Sequence, residues 1–261
     1  MTVLKLSVAA LACTVLFGCQ TVKQPTIAHT HIGHALTAWP TTPNERGLFI
    51  VAEEEAQALS TAVNSVSAAS SLQDLQAVAR QVLQIVMPSK EGANASENFG
   101  LRRAFDEATS HLEFAAQSGD SSANFRRSIP KLTASARHVN VRIELVGLLA
   151  QDVLGARNAA DASSFIQEIQ TVSNEIRLGA EVDGKAPIGS SPEEIGLKQL
   201  RNQIAAITAR EKPQYVPVEE KWLFGLIRLP SGRWEFKSAD EWGAADGGDG
   251  GGGGGGGGGG Y

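Results

Sequence analysis

The chain of 261 residues carries a formal net charge of −5 at pH 7. This mildly acidic balance argues against nucleic acid as a partner, because a nucleic-acid-binding surface needs a basic patch. With 42% hydrophobic residues, the chain is long enough to bury one good core and to carry a small appendage.

The first 18 residues have the pattern of an export signal. Lys5 provides the positive charge, and an apolar run follows from Leu6 to Val15. This run is shorter than the about 20 apolar residues that a transmembrane helix needs. The pattern fits a lipoprotein signal, a plain secretory signal with an incidental cysteine, or a short membrane anchor.

The residues after the apolar run favour the lipoprotein interpretation. The segment Leu16–Cys19 resembles the lipoprotein box of bacteria, which implies cleavage before Cys19 and lipidation of that cysteine. Because Gln20 follows instead of an aspartate, the resemblance implies a lipid anchor in the outer membrane, with the protein facing the periplasm or the cell surface. Cys13 would leave with the signal, so no cysteine would remain for a disulfide, a thiolate nucleophile or a c-type haem.

A cluster of histidines lies in residues 19–42, which we predict to be a tether. Three of the five histidines of the chain, His29, His31 and His34, fall within six residues. In an extended segment His29 and His31 point the same way, and a turn at Gly33 brings His34 to them. On a continuous helix, His31 and His34 can share a face, whereas His29 and His31 cannot. Either conformation lets two or three imidazole nitrogens converge.

Apolar residues at helical spacing predict six helices between residues 43 and 212. The stripe of the fourth helix is the most regular, with steps of four and three residues: Leu132, Ala136, Val139, Ile143, Val146, Ala150 and Val153. Short loops make successive helices neighbours. The predicted fold class is therefore all-α, an antiparallel bundle of about six helices.

Cap and turn residues indicate where several of these helices begin. The segment Thr42–Glu45 suits a helix start, because proline is tolerated in a first turn. The segment Ser71–Asp74 resembles a capping box and starts the second helix. A third helix is expected from about Leu101 to Gln117. Pro130 lies either in the first turn of the fourth helix or at a kink of a helix begun near Ala123.

Two acidic features of these helices have both a structural and a functional interpretation. The carboxylates of Glu53–Glu55 form a solvated face that favours the helix dipole, or they are ligands for a cation. Glu107 and His111 lie four residues apart on one helix face, where they either stabilise the helix or bind a metal ion together.

The pattern changes after Pro213. Residues 213–243 alternate like strands, with Trp222–Leu229 and Trp234–Phe236 separated by turn residues, and they predict a small β-hairpin that packs on the bundle. Residues 244–261 contain an unbroken run of glycine from Gly250 to Gly260 before Tyr261, and such a tail is expected to be disordered because it has nothing to bury.

The two remaining histidines lie on predicted helices. His111 comes one residue before the inward-facing Leu112, and His138 lies at the border of the core face of the fourth helix. Each fits a boundary histidine whose two nitrogens are hydrogen-bonded. The triple cluster instead predicts a metal site formed by His29, His31, His34 and His111, unless the leader is exposed and its histidines bind nothing. Zinc or copper suits an all-nitrogen ligand set better than haem does.

One further resemblance covers roughly residues 29–210. The pattern His29-x-His31-Ile-Gly-His34 with Trp39, and the third helix with His111, resemble an uncharacterised family of exported, histidine-bearing helical proteins. Related sequences tend to place histidine in the second helix, where this chain has Gln81 and Gln84. The resemblance implies an all-helical fold and no particular activity.

The chain contains no Gly-x-Ser-x-Gly elbow, no Walker loop and no His-Glu-x-x-His motif. We therefore assign no catalytic residues and favour a non-enzymatic protein over a hydrolase. The expected function is a lipid-anchored periplasmic or outer-membrane bundle that binds a metal ion or a haem-like cofactor through its N-terminal histidines. The alternative is a cell-envelope scaffold that presents the bundle to a protein partner.

Overall fold

A computed structural model describes residues 21–22, 26–67, 70–88, 99–181, 189, 191–212, 214–215, 220–221, 226–228 and 234–237. The chain divides into two compact units. One unit is formed by Pro25–Val216, and the other by Met1–Gln24 together with Pro217–Tyr261. The predicted signal, the lipidation site Cys19 and the glycine tail lie outside the described residues.

The unit of residues 25–216 is an all-α bundle. Its described residues contain seven α-helices: α1 (Ile27–Leu36), α2 (Leu48–Asn64), α3 (Leu72–Val86), α4 (Leu101–Gln117), α5 (Ala123–Gly155), α6 (Ala159–Leu178) and α7 (Leu197–Thr208). Single 3₁₀ turns lie at Pro43–Glu45 and Pro192–Glu194. The all-α bundle predicted from the sequence is confirmed, with α1 in addition to the six expected helices. None of the helices in the described ranges is both long and apolar enough to cross a membrane.

Four of the described helices, α1, α3, α5 and α6, begin where a side chain accepts a hydrogen bond from one of their first backbone N–H groups. The capping box of α3 is present: the Ser71 hydroxyl accepts from the Asp74 N–H at 3.2 Å, and the Asp74 carboxylate accepts from the Ser71 N–H at 3.0 Å. Helix α5 begins near Ala123, as the second alternative predicted, after the cap residue Ser122, and Pro130 lies inside the helix and not in its first turn.

The predicted helix start at Thr42–Glu45 is wrong. This segment forms only a 3₁₀ turn, and α2 begins at Leu48. Asn44 and Glu45 have φ angles of 56° and 53°. This left-handed conformation ends the turn, because right-handed helix cannot continue through it.

The core is built from the inward stripes of the helices. All seven apolar residues of the α5 stripe are buried, from Leu132 to Val153. Helix α5 contacts α3, α4, α6 and α7, and helix α4 contacts α1, α2 and α5. The longest helix thus packs against α3, α4, α6 and α7, whereas α1 and α2 pack against α4.

Residues 27–36, assigned to the tether from the sequence, form a helix of this bundle instead. Ala28, Ile32 and Ala35 of α1 are at most 1% exposed, and the helix packs mainly on α4 and also on α2. The C-terminal end of α1 comes very close to the backbone of Gly47. Glycine is required at this position, because a Cβ atom there would lie 2.3 Å from the carbonyl carbon of Leu36. The three histidines therefore lie on a packed helix.

The other unit has four short strands in the described residues: β1 (Thr21–Val22), β2 (Glu220–Lys221), β3 (Leu226–Arg228) and β4 (Trp234–Lys237). Strands β3 and β4 pair antiparallel. Most of residues 213–243, including the predicted turn, lie outside the described residues. The hairpin as a packed appendage therefore stays a prediction.

Candidate metal site

The N-terminal end of α1 is held by two side chains. The Thr26 hydroxyl accepts a hydrogen bond from the backbone N–H of His29 at 3.1 Å. The Asp120 carboxylate, from the loop between α4 and α5, accepts from the N–H groups of Ile27 at 2.6 Å and Ala28 at 3.2 Å. An acidic group at this end also favours the helix dipole. The N-terminal end of α1 is therefore held against the loop that follows α4.

The helical conformation decides which histidines come together. His31 and His34 lie three residues apart and share the face of α1 that meets His111 of α4. One ligand nitrogen from each of the three lies within 4.8 Å of the other two. His31, His34 and His111, hereafter the histidine triad, are thus close enough to hold a metal ion.

The closest contact in the triad joins two imidazole nitrogens. Nδ1 of His31 and Nδ1 of His111 are 3.0 Å apart, which is a hydrogen bond in which one ring donates and the other accepts. Two nitrogens bound to one tetrahedral zinc ion are about 3.3 Å apart, because each Zn–N bond is about 2.05 Å. A small opening of this contact therefore places both nitrogens at ligand distance.

Aromatic rings surround the triad. The ring of Trp39 lies 4.5 Å from that of His34 and 4.6 Å from that of His111, measured between centroids. The ring of Phe114 lies 5.6 Å from His31 and 6.0 Å from His111, and this side chain is half exposed. Apolar walls of this kind limit access of water to the imidazoles.

Burial favours the metal-binding form of two members of the triad, His31 and His111. It lowers the pKa of His31, against a smaller opposing effect of the negative charge of Asp120. It also lowers the pKa of His111, where the neighbouring His31 adds to the effect and Glu107 opposes it. Both shifts favour the neutral imidazole, which has the lone pair that a metal ion requires.

His29 lies outside the triad and has a different environment. Its side chain is 6% exposed, and Nε2 lies 3.8 Å from a carboxylate oxygen of Glu211. The other oxygen of Glu211 accepts from the Ser122 hydroxyl at 2.8 Å and from the Asn124 amide at 2.7 Å. The ring of Tyr215 lies edge-on to His29 at 5.8 Å. His29 therefore ties α1 to the chain that follows α7, and the predicted set of four ligands loses this member.

Three other carboxylates that the sequence singled out are in ion pairs. Glu107 forms an ion pair with Arg103 at 2.8 Å, a partner that neither alternative for the Glu107 and His111 pair included. Glu53 pairs with Arg201 and Glu54 with Arg46. His138 lies on α5 and does not belong to the histidine group that the described residues contain.

Three residues around the site were not predicted as site residues. Asp120 acts through the backbone of a helix 93 residues away in the chain, and Phe114 belongs to the outer face of α4. Trp39 follows His34 by five residues, and this proximity, with its place in the histidine pattern, could have suggested a contact.

Comparison with known proteins gives no match: no family model, no curated protein and no solved structure is similar to this chain. The resemblance to exported, histidine-bearing proteins therefore stays a prediction. The functional conclusions below depend on the geometry of the site.

Proposed function

We propose that this protein binds one divalent transition-metal ion, zinc or copper, through His31, His34 and His111. The observation that carries the proposal is the convergence of three imidazole nitrogens within 4.8 Å from two helices that are far apart in sequence. The three side chains lie where α1 packs on α4, with the rings of Trp39 and Phe114 beside them, and this placement favours a built site over a chance cluster of surface histidines.

The donor set suits zinc and copper on chemical grounds. Zinc binds imidazole nitrogen at about 2.0–2.1 Å and accepts three protein ligands with one position left over. Copper binds the same donors more tightly, so the ion found in the cell depends on supply as well as on affinity. A haem held between His31 and His111 does not fit, because the macrocycle cannot pass between nitrogens 3.0 Å apart.

The place of the protein in the cell is a second part of the proposal. The lipoprotein box at Leu16–Cys19 supports a lipid anchor in the outer membrane, with the bundle in the periplasm or at the cell surface. A lipid chain contributes about 0.8 kcal/mol for each buried methylene group, so several chains retain the protein firmly.

The test is the metal content of the full chain, purified without a histidine tag. We expect about one zinc or copper ion per chain after incubation at micromolar concentration and gel filtration. Replacing His31 and His34 together with alanine should abolish stoichiometric binding, and so should His111→Ala. The control is His138→Ala, because His138 lies outside the triad. Failure of the wild-type chain to bind zinc, copper or nickel would overturn the proposal.

A scaffold is the second candidate, and one observation favours it. Val141 and Leu148 lie seven residues apart on one face of α5 and are 63% and 58% exposed. A spacing of seven residues is one of those at which an amphipathic helix contacts a partner. If the metal assay is negative, this face becomes the best-supported site of function.

A further inference from the structure

The indole nitrogen of Trp39 is the starting point. Nε1 is buried, and within the described ranges of the chain it has no hydrogen-bond partner. An indole nitrogen is a donor only, and a buried donor without an acceptor is unfavourable. Such an atom beside a candidate site indicates an acceptor that is present when the site is in use.

The position of this ring is fixed by the loop after α1. The backbone N–H of Trp39 donates to the carbonyl of Glu45 at 3.2 Å, and the Trp39 carbonyl accepts from the Thr42 hydroxyl at 2.8 Å. The ring is therefore held against His34 and His111, whose centroids are 4.5 and 4.6 Å away.

The carboxylates that act electrostatically on the triad are already engaged. Asp120, whose charge acts on His31, accepts from two backbone N–H groups of α1. Glu107, whose charge acts on His111, is paired with Arg103. A divalent ion held by three neutral imidazoles therefore keeps its charge, and its fourth tetrahedral position needs a ligand from outside the triad.

We propose that this fourth position takes a small anion, of the size of azide or acetate, and that the indole N–H of Trp39 donates a hydrogen bond to it. The inference rests on the proposed metal function. It adds the chemical class of the ligand and assigns Trp39 a role in holding it.

The experiment uses the full chain loaded with cobalt(II), whose visible absorption depends on its ligands. Azide is added to the wild type, to Trp39→Phe and to the control Trp222→Phe, which changes a tryptophan outside the bundle unit. We expect a saturable spectral change in the wild type and the control. Trp39→Phe should bind the same amount of cobalt but bind azide about tenfold more weakly, as expected for one charge-assisted hydrogen bond.

A second measurement needs no substitution in the site. The protein labelled with ¹⁵N at its four tryptophan indoles is loaded with zinc, and azide is added. A second sample loaded with cobalt identifies the indole nearest the site, because the paramagnetic ion broadens its N–H resonance most. In the zinc-loaded sample, azide should shift this same resonance downfield, as expected for a new hydrogen bond from Trp39.

The outcomes separate the two proposals. Cobalt uptake without a response to azide, or equal azide affinity in the wild type and Trp39→Phe, overturns the anion site and leaves the metal site intact. If azide shifts none of the four indole resonances of the zinc-loaded protein, the anion site is likewise overturned and the metal site stays intact. Absence of cobalt uptake overturns the metal function, and the anion site with it.

Discussion

Replacing Gly47 with alanine tests whether α1 is docked on the bundle as the structure has it. The new Cβ would lie 2.3 Å from the carbonyl carbon of Leu36 and 2.5 Å from the backbone nitrogen of Thr37. Since non-bonded carbon atoms stay about 3.5 Å apart, the end of α1 would have to move by about 1 Å. This movement would also strain the hydrogen bond from the Gly47 N–H to the Thr37 carbonyl, which is now 3.0 Å long.

The expected loss follows from this steric conflict. The backbone angles of Gly47, φ −58° and ψ 140°, are accessible to alanine, so backbone strain adds nothing. Overpacking of a tight contact costs about 1–3 kcal/mol. In a unit of this size each kcal/mol lowers the melting temperature by about 2–4 °C, so a fall of about 2–12 °C is expected. Zinc affinity should fall as well, because two of the three ligands move with α1.

Gly33→Ala is the matched control, because it makes the same substitution within α1. The nearest atom to its Cβ would be the Tyr215 hydroxyl at 3.9 Å, which is ordinary contact. Alanine is preferred over glycine inside a helix by about 1 kcal/mol, so this variant should be more stable than the wild type.

The measurement is urea unfolding of both variants, followed by far-UV circular dichroism. An unfolding free energy for Gly47→Ala equal to that of the wild type would show that α1 does not approach α2 as described. A clear loss of stability in Gly33→Ala would show that this segment is a turn and not a helix.

Two further predictions concern protonation and anchoring. Burial lowers the pKa of His29, His31 and His111 in the folded state, so between those values and about 6.5 the unfolded chain binds more protons. The unfolding free energy of metal-free protein should therefore be highest above pH 6.5 and fall as the pH drops below it. The fall should be shallower in His111→Gln. An unfolding free energy that does not change with pH would contradict the burial of these histidines. Cys19→Ser should release the protein from membranes and abolish acyl labelling, whereas unchanged fractionation without an acyl group on Cys19 would refute lipidation.

The six large helices could be predicted because their stripes are long and regular. The predicted bounds Leu101–Gln117 match α4, and every apolar residue of the predicted α5 stripe is buried. Periodicity over a window of about 11–18 residues carries enough information to identify both the helix and its inner face.

Helix α1 could not be predicted in the same way. It has ten residues, and its three buried apolar residues include two alanines. A helix this short is marginal by itself, so its stability comes from packing and from caps that other parts of the chain supply. Asp120 is such a cap, and nothing in the local sequence of residues 27–36 indicates it.

The candidate site could be predicted only in part. The spacing of His31 and His34 indicated a shared face on a helix, and His111 was the expected partner from the bundle. His29 was included in the predicted ligand set because residues 19–42 were expected to be a tether; on the helix that forms instead, its side chain points away from that of His31. Its pairing with Glu211 joins positions 182 residues apart, and only the tertiary structure brings them together.

The location of the triad on a packed helix changes what metal binding has to accomplish. For a mobile leader, the ion would have to offset the entropy of closing a loop onto the bundle. Here Ile32 is already fully buried and the end of α1 is capped, so the backbone of the site is in place before the ion arrives. Binding then needs only the hydrogen bond between His31 and His111 to open and its proton to move to the other ring nitrogen. The ion should therefore stabilise an already folded protein by mass action, about 2.7 kcal/mol at a hundred times the dissociation constant, and should not be required for folding.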